Sequence, residues 1–394
     1  MPLAAFFAPH KPHRRAFRRA ALLLGFAVVV ASLSAADARK PKPAHLPDDA
    51  AWRKLETVAY KGKQDDIHFI DPLRGWYVNG IGKIYATADG GKTWAEQLSQ
   101  PGTYFRTVGF VDATHGFAGN IGTEYFPGVT DTRPLYRTRD GGKTWRAVEG
   151  LTEDMIKGLC AIDILHESFV DAGTLAKRTV VHAGGRVGGP AKLARSLDGG
   201  ETWNVIDMTP HTAMILDVKF FDAMNGIVFG ASDANVEASH ARILRTDDGG
   251  KTWKIAYESD RAFELTWKGS FPSRKVGYAT IQSYDPDPNN SRRYVAKTVD
   301  GGKSWVELPL VDDAKVREFG IGFYDERIGW VGAASGGYQT TDGGKTWRAV
   351  EMGRAVNKIR VLPNGDGMVA YAIGTDVYKL DVPSLTGRRA RGKR

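Results

Sequence analysis

Six aspartates occur in near-identical octapeptides and are the first candidates for chemistry in this sequence. The first octapeptide, Thr-Ala-Asp-Gly-Gly-Lys-Thr-Trp, occupies residues 87–94, and consecutive copies lie 42 to 58 residues apart. Repeated carboxylates could act in glycoside hydrolysis or bind calcium. An Asp-Gly-Gly sequence also forms a tight turn, because the carboxylate accepts hydrogen bonds from nearby backbone N–H groups and glycine tolerates positive φ. We therefore predict a structural role in hairpin turns for all six, which are Asp89, Asp140, Asp198, Asp248, Asp300 and Asp342.

A second repeated pattern precedes the octapeptides and predicts the strands that position them. An alternating apolar run ends in Asp, a short turn follows, and the next strand begins with Gly, as in Ile67–Asp71 before Gly75. Each unit of about 40–50 residues thus contains four short strands, which is the signature of a β-propeller blade. Six units end near Glu351, three further strands follow, and Ala51–Glu56 resembles the fourth strand of a unit. The sequence predicts an all-β, seven-bladed β-propeller with almost no helix, whose last blade is closed by the N-terminal strand.

Residues 51–381 resemble the Asp-box, or BNR-repeat, β-propellers, and more narrowly the photosystem II stability/assembly factor-like propellers. The resemblance is carried by Asp-x-x-x-Gly-aromatic segments such as Asp112–Phe117 and Asp325–Trp330, paired with the Thr-x-Asp-Gly-Gly-Lys-Thr-Trp turns. Members of that family attached to photosynthesis bind a precursor membrane protein during its assembly and are not enzymes. The resemblance therefore implies a non-catalytic scaffold for a protein or peptide partner, with a membrane or envelope protein as the expected class.

The two ends of the chain resemble targeting and tail segments. Residues 1–38 contain basic residues, an apolar run and a small-residue cleavage site, which predicts a signal peptide and a periplasmic or secreted protein. Arg14–Arg19 resembles a twin-arginine export signal; the export route stays open, and so does an uncleaved N-terminal anchor. Residues 39–50 are predicted to be a linker, residues 51–384 the propeller, and residues 385–394 a basic disordered tail.

The formal net charge of +9 also belongs to the chain ends. Residues 1–38 contribute +4 and the last seven residues contribute five positive charges, so residues 39–387 are formally neutral. A neutral propeller does not support a basic face for nucleic acid, and we expect no nucleic-acid partner. We expect membrane contact to be peripheral at most, and the protein to be a monomer.

A partner-binding surface is predicted on the face opposite the Asp-Gly-Gly turns. The longest loops between second and third strands fall there, and they contain aromatic residues beside arginines. Such loops on a rigid scaffold are common protein-binding surfaces, although they are also sites of tolerated insertions, and both interpretations stay open. The candidate residues are Tyr125, Phe126, Tyr284, Arg292 and Arg293.

The innermost strands predict a central channel with a lining of mixed charge. Such a lining could bind a polar ligand, but paired charges around a wet channel need no ligand, and we favour that second interpretation. The predicted lining residues are Asp66, His68, Asp163, Asp217, Lys219, Glu264, Lys358 and Arg360.

No residue set predicts a metal, a cofactor or a catalytic centre. Cys160 is the single cysteine, and the Asp- and Asn-rich segment 285–290 lacks the later Gly and Glu of a calcium-binding EF-hand loop. The alternative function is a glycoside hydrolase of the sialidase type, which needs converging arginines, a Tyr–Glu pair and an acid. The inner strands supply only scattered candidates, namely Arg106, Arg317, Arg360 and Tyr324.

Overall fold

The computed structural model describes residues 45–171 and 174–383 of the 394-residue chain. The predicted signal peptide at 1–38, residues 39–44 of the predicted linker and the predicted tail at 385–394 lie outside the described residues. The described part forms seven four-stranded antiparallel sheets, and its one helical element is a 3-10 turn at Val236–Ala238. This part of the chain contains no helix of the length and hydropathy needed to cross a membrane. The prediction of an all-β, seven-bladed propeller is confirmed.

Each sheet is one blade, and the first three blades take their strands in chain order. Blade 1 contains β2 (Gln64–Phe69), β3 (Gly75–Asn79), β4 (Lys83–Thr87) and β5 (Ala95–Ser99). Blade 2 contains β6 (Phe105–Phe110), β7 (Gly116–Asn120), β8 (Leu135–Thr138) and β9 (Arg146–Ala147). Blade 3 contains β10 (Ala161–Asp171), β11 (Thr174–Gly185), β12 (Lys192–Ser196) and β13 (Asn204–Asp207).

The next three blades follow the same order. Blade 4 contains β14 (Met214–Phe220), β15 (Gly226–Ala231), β16 (Ala241–Thr246) and β17 (Lys254–Glu258). Blade 5 contains β18 (Glu264–Ser270), β19 (Gly277–Ser283), β20 (Arg292–Thr298) and β21 (Val306–Asp312). Blade 6 contains β22 (Glu318–Phe323), β23 (Gly329–Ala333), β24 (Ser335–Thr340) and β25 (Arg348–Arg354).

The seventh blade combines the two ends of the described chain. Its strands are β26 (Lys358–Asn364), β27 (Gly367–Ile373), β28 (Val377–Val382) and β1 (Arg53–Lys54), and β1 pairs with β28 as the outer strand. Side-chain hydrogen bonds then join this blade to blade 1. Asn357 Nδ2 donates to the Asp65 carbonyl at 2.6 Å, and Arg360 Nε donates to the Ile67 carbonyl at 2.8 Å.

The hydrophobic core lies between adjacent blades, because each sheet buries alternate side chains against the next. Trp76 and Val78 of blade 1 pack with Val108 and Phe110 of blade 2. The tryptophan of the second octapeptide, Trp145, meets Phe110 edge-on with ring centroids 5.9 Å apart. Equivalent edge-on pairs are Phe69–Trp94, Phe220–Trp253 and Phe323–Trp347. The octapeptide tryptophans therefore anchor their hairpins in the core.

Two segments depart from the repeated pattern. In blade 3 the β10–β11 pairing continues as far as Asp171 opposite Thr174, so this hairpin is longer than its counterparts. Within the predicted linker, Leu46 is buried and packs in the same cluster as Trp330 and Met352. The part of residues 39–50 that the structure describes thus contributes an anchor to the core near the last blades.

Candidate functional site

The Asp-Gly-Gly turns share one face of the propeller with the turns between the first and second strands of each blade. Backbone hydrogen bonds join the two kinds of turn: Gly90 N donates to the Leu73 carbonyl at 2.8 Å, and Gly343 N donates to the Arg327 carbonyl at 3.0 Å. We call this side the turn face. The opposite side, which carries the loops between second and third strands and the connections between blades, is called the rim face.

Within each Asp-Gly-Gly turn, both carboxylate oxygens are bonded inside their own hairpin. In blade 5, Asp300 Oδ1 accepts from the Thr298 hydroxyl at 2.8 Å and from the Ser304 N–H at 3.1 Å, and Oδ2 accepts from the Ser304 hydroxyl at 2.6 Å. Burial alone would raise the pKa of Asp300, but the hydroxyl and N–H of Ser304 lower it to about 2. The same three kinds of donor recur at Asp89, Asp140, Asp198, Asp248 and Asp342.

These six carboxylates are therefore engaged by their own turns. Within residues 45–171 and 174–383, no group of three or more His, Cys, Asp or Glu side chains is arranged to hold a metal ion. The chemistry of the molecule has to be sought in the channel and on the rim face.

The turn-face end of the channel is a polar cavity of about 320 Å³. Side chains two residues apart on a strand point to the same side, so Asp217 with Lys219, and Lys358 with Arg360, form two layers along the channel. Of the eight predicted lining residues, those that line this cavity are Asp163, Asp217, Lys219, Lys358 and Arg360.

The carboxylates of the cavity are paired with cations and with backbone groups. Asp163 accepts from Lys219 Nζ at 2.9 Å and from the Phe220 N–H at 2.8 Å. Asp217 lies 3.2 Å from Lys358 Nζ, and it also accepts a backbone N–H from blade 5 at 3.1 Å. Each carboxylate thus bonds its own blade to the next one.

Asp66 and His68 continue this lining in blade 1. Asp66 accepts from the Val108 N–H at 3.1 Å and lies 3.5 Å from Arg360 Nη2. Burial would raise the pKa of Asp66, but the Arg360 guanidinium and other nearby cations lower it. Burial and the same guanidinium lower the pKa of His68 to about 3, so this imidazole is neutral at pH 7.

Further along the channel a buried lysine is bonded to backbone carbonyl groups. Lys268 Nζ donates to the Leu216 carbonyl at 2.6 Å and lies 4.0 Å from Asp217 Oδ1. Burial lowers the pKa of Lys268 to about 8, although Asp217 opposes that shift. This lysine stays mainly protonated at pH 7.

At the rim-face mouth of the channel, cations lie over aromatic rings. The guanidinium of Arg106 is 5.1 Å from the Trp267 ring centroid and forms a buried ion pair with Asp65. Trp267 Nε1 donates to Asn357 Oδ1 at 2.8 Å, which fixes the indole ring. Lys63 Nζ is 5.5 Å from the same ring, and burial together with nearby Arg106 lowers the pKa of Lys63 to about 7.

The predicted partner-binding aromatics surround this mouth. Tyr284 packs in the same cluster as Trp267. Arg317 is exposed, and its guanidinium lies 4.1 Å from the centroid of the Tyr284 ring. Tyr125 is 38% exposed, and its ring centroid lies 5.9 Å from the Arg186 guanidinium. The rings of Tyr125 and Phe126 meet edge-on, with centroids 4.7 Å apart. Arg–aromatic stacking therefore occurs at both tyrosines that the sequence singled out.

The two predicted arginines lie elsewhere on the rim face. Arg292 is exposed and paired with Asp312 at 3.2 Å, whereas Arg293 is only 3% exposed and its guanidinium donates to four backbone carbonyls. Arg292 and Arg293 line a pocket of about 490 Å³ together with Glu264. Glu264 is paired with Arg261 at 2.7 Å and does not line the turn-face cavity.

Several residues at the channel mouth were not among the predicted partner-binding residues. The sequence pattern gives no signal for them, because the inner strands change register between Thr266 and Gly269 and between Glu318 and Ile321. A bulge redirects the side chains around it, here Trp267 and Phe319. We call the whole surface the rim patch, and it consists of Lys63, Arg106, Tyr125, Arg186, Trp267, Tyr284, Arg317 and Phe319.

Comparison with curated proteins finds two kinds of relative, and no protein-family model matches the chain. The chain is 25% identical over 217 residues to the xyloglucanase Xgh74A of Acetivibrio thermocellus, which covers 50% of this chain and 24% of that protein. It is 25% identical over 175 residues to the photosystem II assembly lipoprotein Ycf48 of Synechococcus sp. (strain CC9902), which covers 44% of this chain and 47% of that protein. The matched regions thus span less than half the length of these relatives.

Solved structures show the same fold over most of the chain. YCF48 from Cyanidioschyzon merolae aligns with a TM-score of 0.59 at 19% identity, covering 84% of this chain and 99% of that one. YCF48 bound to D1 peptide aligns with a TM-score of 0.58 at 16% identity, covering 87% and 97%. An ancestral GH74 enzyme aligns with a TM-score of 0.58 at 14% identity, covering 84% of this chain but 46% of that one. The chain is a seven-bladed propeller that resembles the photosystem II assembly factor-like proteins.

Proposed function

We propose that this protein is an exported, non-catalytic scaffold whose rim patch binds an extended peptide segment of a membrane or envelope protein. By holding that segment, it assists the assembly or stability of the partner. The observation that carries the proposal is the set of cation–aromatic contacts at one channel mouth, contributed by separate blades.

The chemistry of the rim patch favours a peptide with carboxylate and apolar side chains. Its guanidinium groups can form paired hydrogen bonds with a carboxylate, and its rings offer apolar area at a low entropic cost. Arg317 is exposed above Tyr284, so its donors face solvent and a partner can reach them. A neighbouring structure supports this mode, because a YCF48 propeller of the same architecture was solved with D1 peptide bound.

The test is retention of envelope proteins on the immobilised propeller. The variant Tyr284→Ala with Arg317→Ala removes one stacked pair at the rim, and Lys345→Ala on the turn face is the matched control. We expect the wild type and the control to retain the same solubilised protein, and the rim variant to lose at least 90% of it. Equal retention by all three would contradict the proposal.

The alternative is a glycoside hydrolase, which the match to xyloglucanase favours. Such an enzyme needs a protonated carboxyl group as its acid and a second carboxylate nearby. In the rim-face pocket of about 490 Å³, burial raises the pKa of Glu264. The carboxylates of Asp285 and Asp312 line the same pocket. The discriminating measurement is release of reducing sugar from xyloglucan. Turnover by the wild type that is lost in Glu264→Gln would establish the hydrolase and overturn the scaffold proposal.

A further inference from the structure

Three cations of the turn-face cavity come from two separate blades. Lys219 belongs to blade 4, whereas Lys358 and Arg360 belong to blade 7, and all three line the same space of about 320 Å³. The Lys358 side chain is only 9% exposed. A charge held this far from water is costly unless an opposite charge compensates it.

Among residues 45–171 and 174–383, the side chains that meet at this end of the channel carry an excess of one positive charge. The cations comprise the three above and Lys268, which stays mainly protonated at pH 7. They face three carboxylates, which are Asp66, Asp163 and Asp217. His68 adds no charge, because its pKa is about 3. Each of the three lining cations has a carboxylate within 3.5 Å, and the extra positive charge belongs to Lys268, which lies deeper in the channel and shares Asp217 with Lys358.

Two of the lining cations also have hydrogen-bond donors without an acceptor among the described residues. The Asp163 and Asp217 carboxylates already accept from lysines and from backbone N–H groups. Lys219 Nζ has three N–H donors and donates to one carboxylate oxygen among the described residues. Arg360 Nε donates to the Ile67 carbonyl, and Arg360 Nη1 has no hydrogen-bond partner among the described residues.

We propose that the turn-face end of the channel binds a small oxyanion, of the carboxylate or phosphate class, on Lys219, Lys358 and Arg360. Such an anion offsets the net positive charge at this end of the channel and accepts hydrogen bonds from the donors of Lys219 and Arg360 that have no acceptor among the described residues. The Ser270 hydroxyl also lines the cavity; it accepts the Phe323 N–H at 3.0 Å, so its own hydrogen is available to the anion. Ile162 and Ile321 also border the cavity, whose volume of about 320 Å³ accommodates a phosphate or carboxylate group together with water molecules.

The test uses the full propeller and two probes, inorganic phosphate and acetate, in calorimetric titrations against a constant chloride background. We expect saturable binding of at least one probe, and an affinity at least tenfold lower in Lys219→Gln and in Arg360→Gln. Lys345→Gln removes the same charge from a turn-face hairpin outside the cavity and should bind like the wild type. Whether phosphate or acetate binds tighter separates a tetrahedral from a planar anion.

A second readout does not depend on the folding of the Arg360 variant. His68 lies on the same strand as Asp66, which is 3.5 Å from Arg360, so the NMR chemical shifts of the His68 ring at pH 7 should move in a saturable way as the probe is added. Unchanged His68 shifts together with equal affinities in wild type and Lys219→Gln would overturn the proposal. So would the lack of any saturable heat with both probes.

Discussion

On the turn face, each repeated aspartate bonds to hydroxyl and N–H groups of its own hairpin, whereas on the rim face the bonds run between blades. Asp300 finds all its donors within four residues along the chain. Arg106, in contrast, pairs with Asp65 41 residues away, and Trp267 bonds to Asn357 90 residues away. The carboxylates of the Asp-Gly-Gly turns thus belong to local units, whereas the rim patch exists only when the blades have come together.

The comparison shows how one scaffold separates stability from recognition. Local units that satisfy themselves can be repeated without regard to what surrounds them, and they leave few free donors for a ligand. Residues brought together from distant parts of the chain can differ from blade to blade, so the rim patch can carry a specific surface. Substitutions on the two faces should therefore have different signatures.

The largest expected effect on the free energy of unfolding concerns Glu318, a carboxyl group near the rim face. Unlike Asp300, Glu318 has no hydrogen-bond donor for its side-chain oxygens among the described residues. Glu318 is also fully buried. Burial raises its pKa to about 8, so the folded protein holds a proton that the unfolded chain releases near pH 4.5. Its favourable contribution is complete below pH 4.5 and is lost as the pH rises towards 8.

The measurement is urea unfolding of the wild type and of Glu318→Gln between pH 4.5 and 8. Relative to the variant, the wild type should lose about 1.4 kcal/mol of unfolding free energy per pH unit across this window. Asp300→Asn serves as the opposite control, since its effect belongs to acid pH. Parallel stability curves for wild type and Glu318→Gln would show that Glu318 is ionised in the folded protein.

The second prediction concerns the floor of the rim patch. Arg106→Met removes the buried cation that pairs with the Asp65 carboxylate and leaves only Lys63, 3.7 Å away, so the free energy of unfolding should fall by about 3 kcal/mol. Adding Asp65→Asn removes the stranded charge and should recover most of that loss. Denaturant titrations of the single and double variants check this, and equal stabilities would show that the ion pair is not the cause.

The third prediction concerns a single turn of the turn face. Asp300→Ala removes the acceptor of two hydroxyl and two N–H donors, and we expect a loss of about 1–3 kcal/mol. Lys303→Ala in the same hairpin is the control and should change stability by less than about 0.5 kcal/mol. Partner retention should be unaffected in both, and loss of binding in Asp300→Ala at a temperature where it is folded would break the separation of the two faces.

The fold could be predicted from the sequence because the repeated contacts are local. The Asp-Gly-Gly turn, its hydroxyls and its tryptophan lie within eight residues, so the pattern shows them together at every copy. The shared seventh blade could also be predicted, since Ala51–Glu56 resembles an outer strand and β1 indeed pairs with β28. Tyr125 and Tyr284 were identified from loop composition, and the structure places both beside arginines.

The remaining site residues depend on geometry that alternation does not contain. The sequence predicts Glu264 in the channel lining, whereas in the structure it precedes the register shift between Thr266 and Gly269 and lines the rim-face pocket rather than the turn-face cavity. Arg293 looked available next to an exposed loop, yet its guanidinium is enclosed by backbone carbonyls. Bulges and long-range enclosure of this kind are set by packing between blades, which the sequence pattern does not reveal.

The smallest expected effect on stability belongs to the most exposed cation of the rim patch. Arg317 is exposed and stacks on Tyr284 without an ion pair among the described residues, so Arg317→Ala should change the free energy of unfolding by no more than about 0.5 kcal/mol. Its effect on partner binding should be far larger, about tenfold or more, because cation–aromatic anchors at an interface contribute strongly. Arg317→Lys keeps the charge but loses the planar stack, and it should recover only part of the affinity. A variant that loses stability and binding in the same proportion would mean that the rim patch, like the turn face, serves the fold.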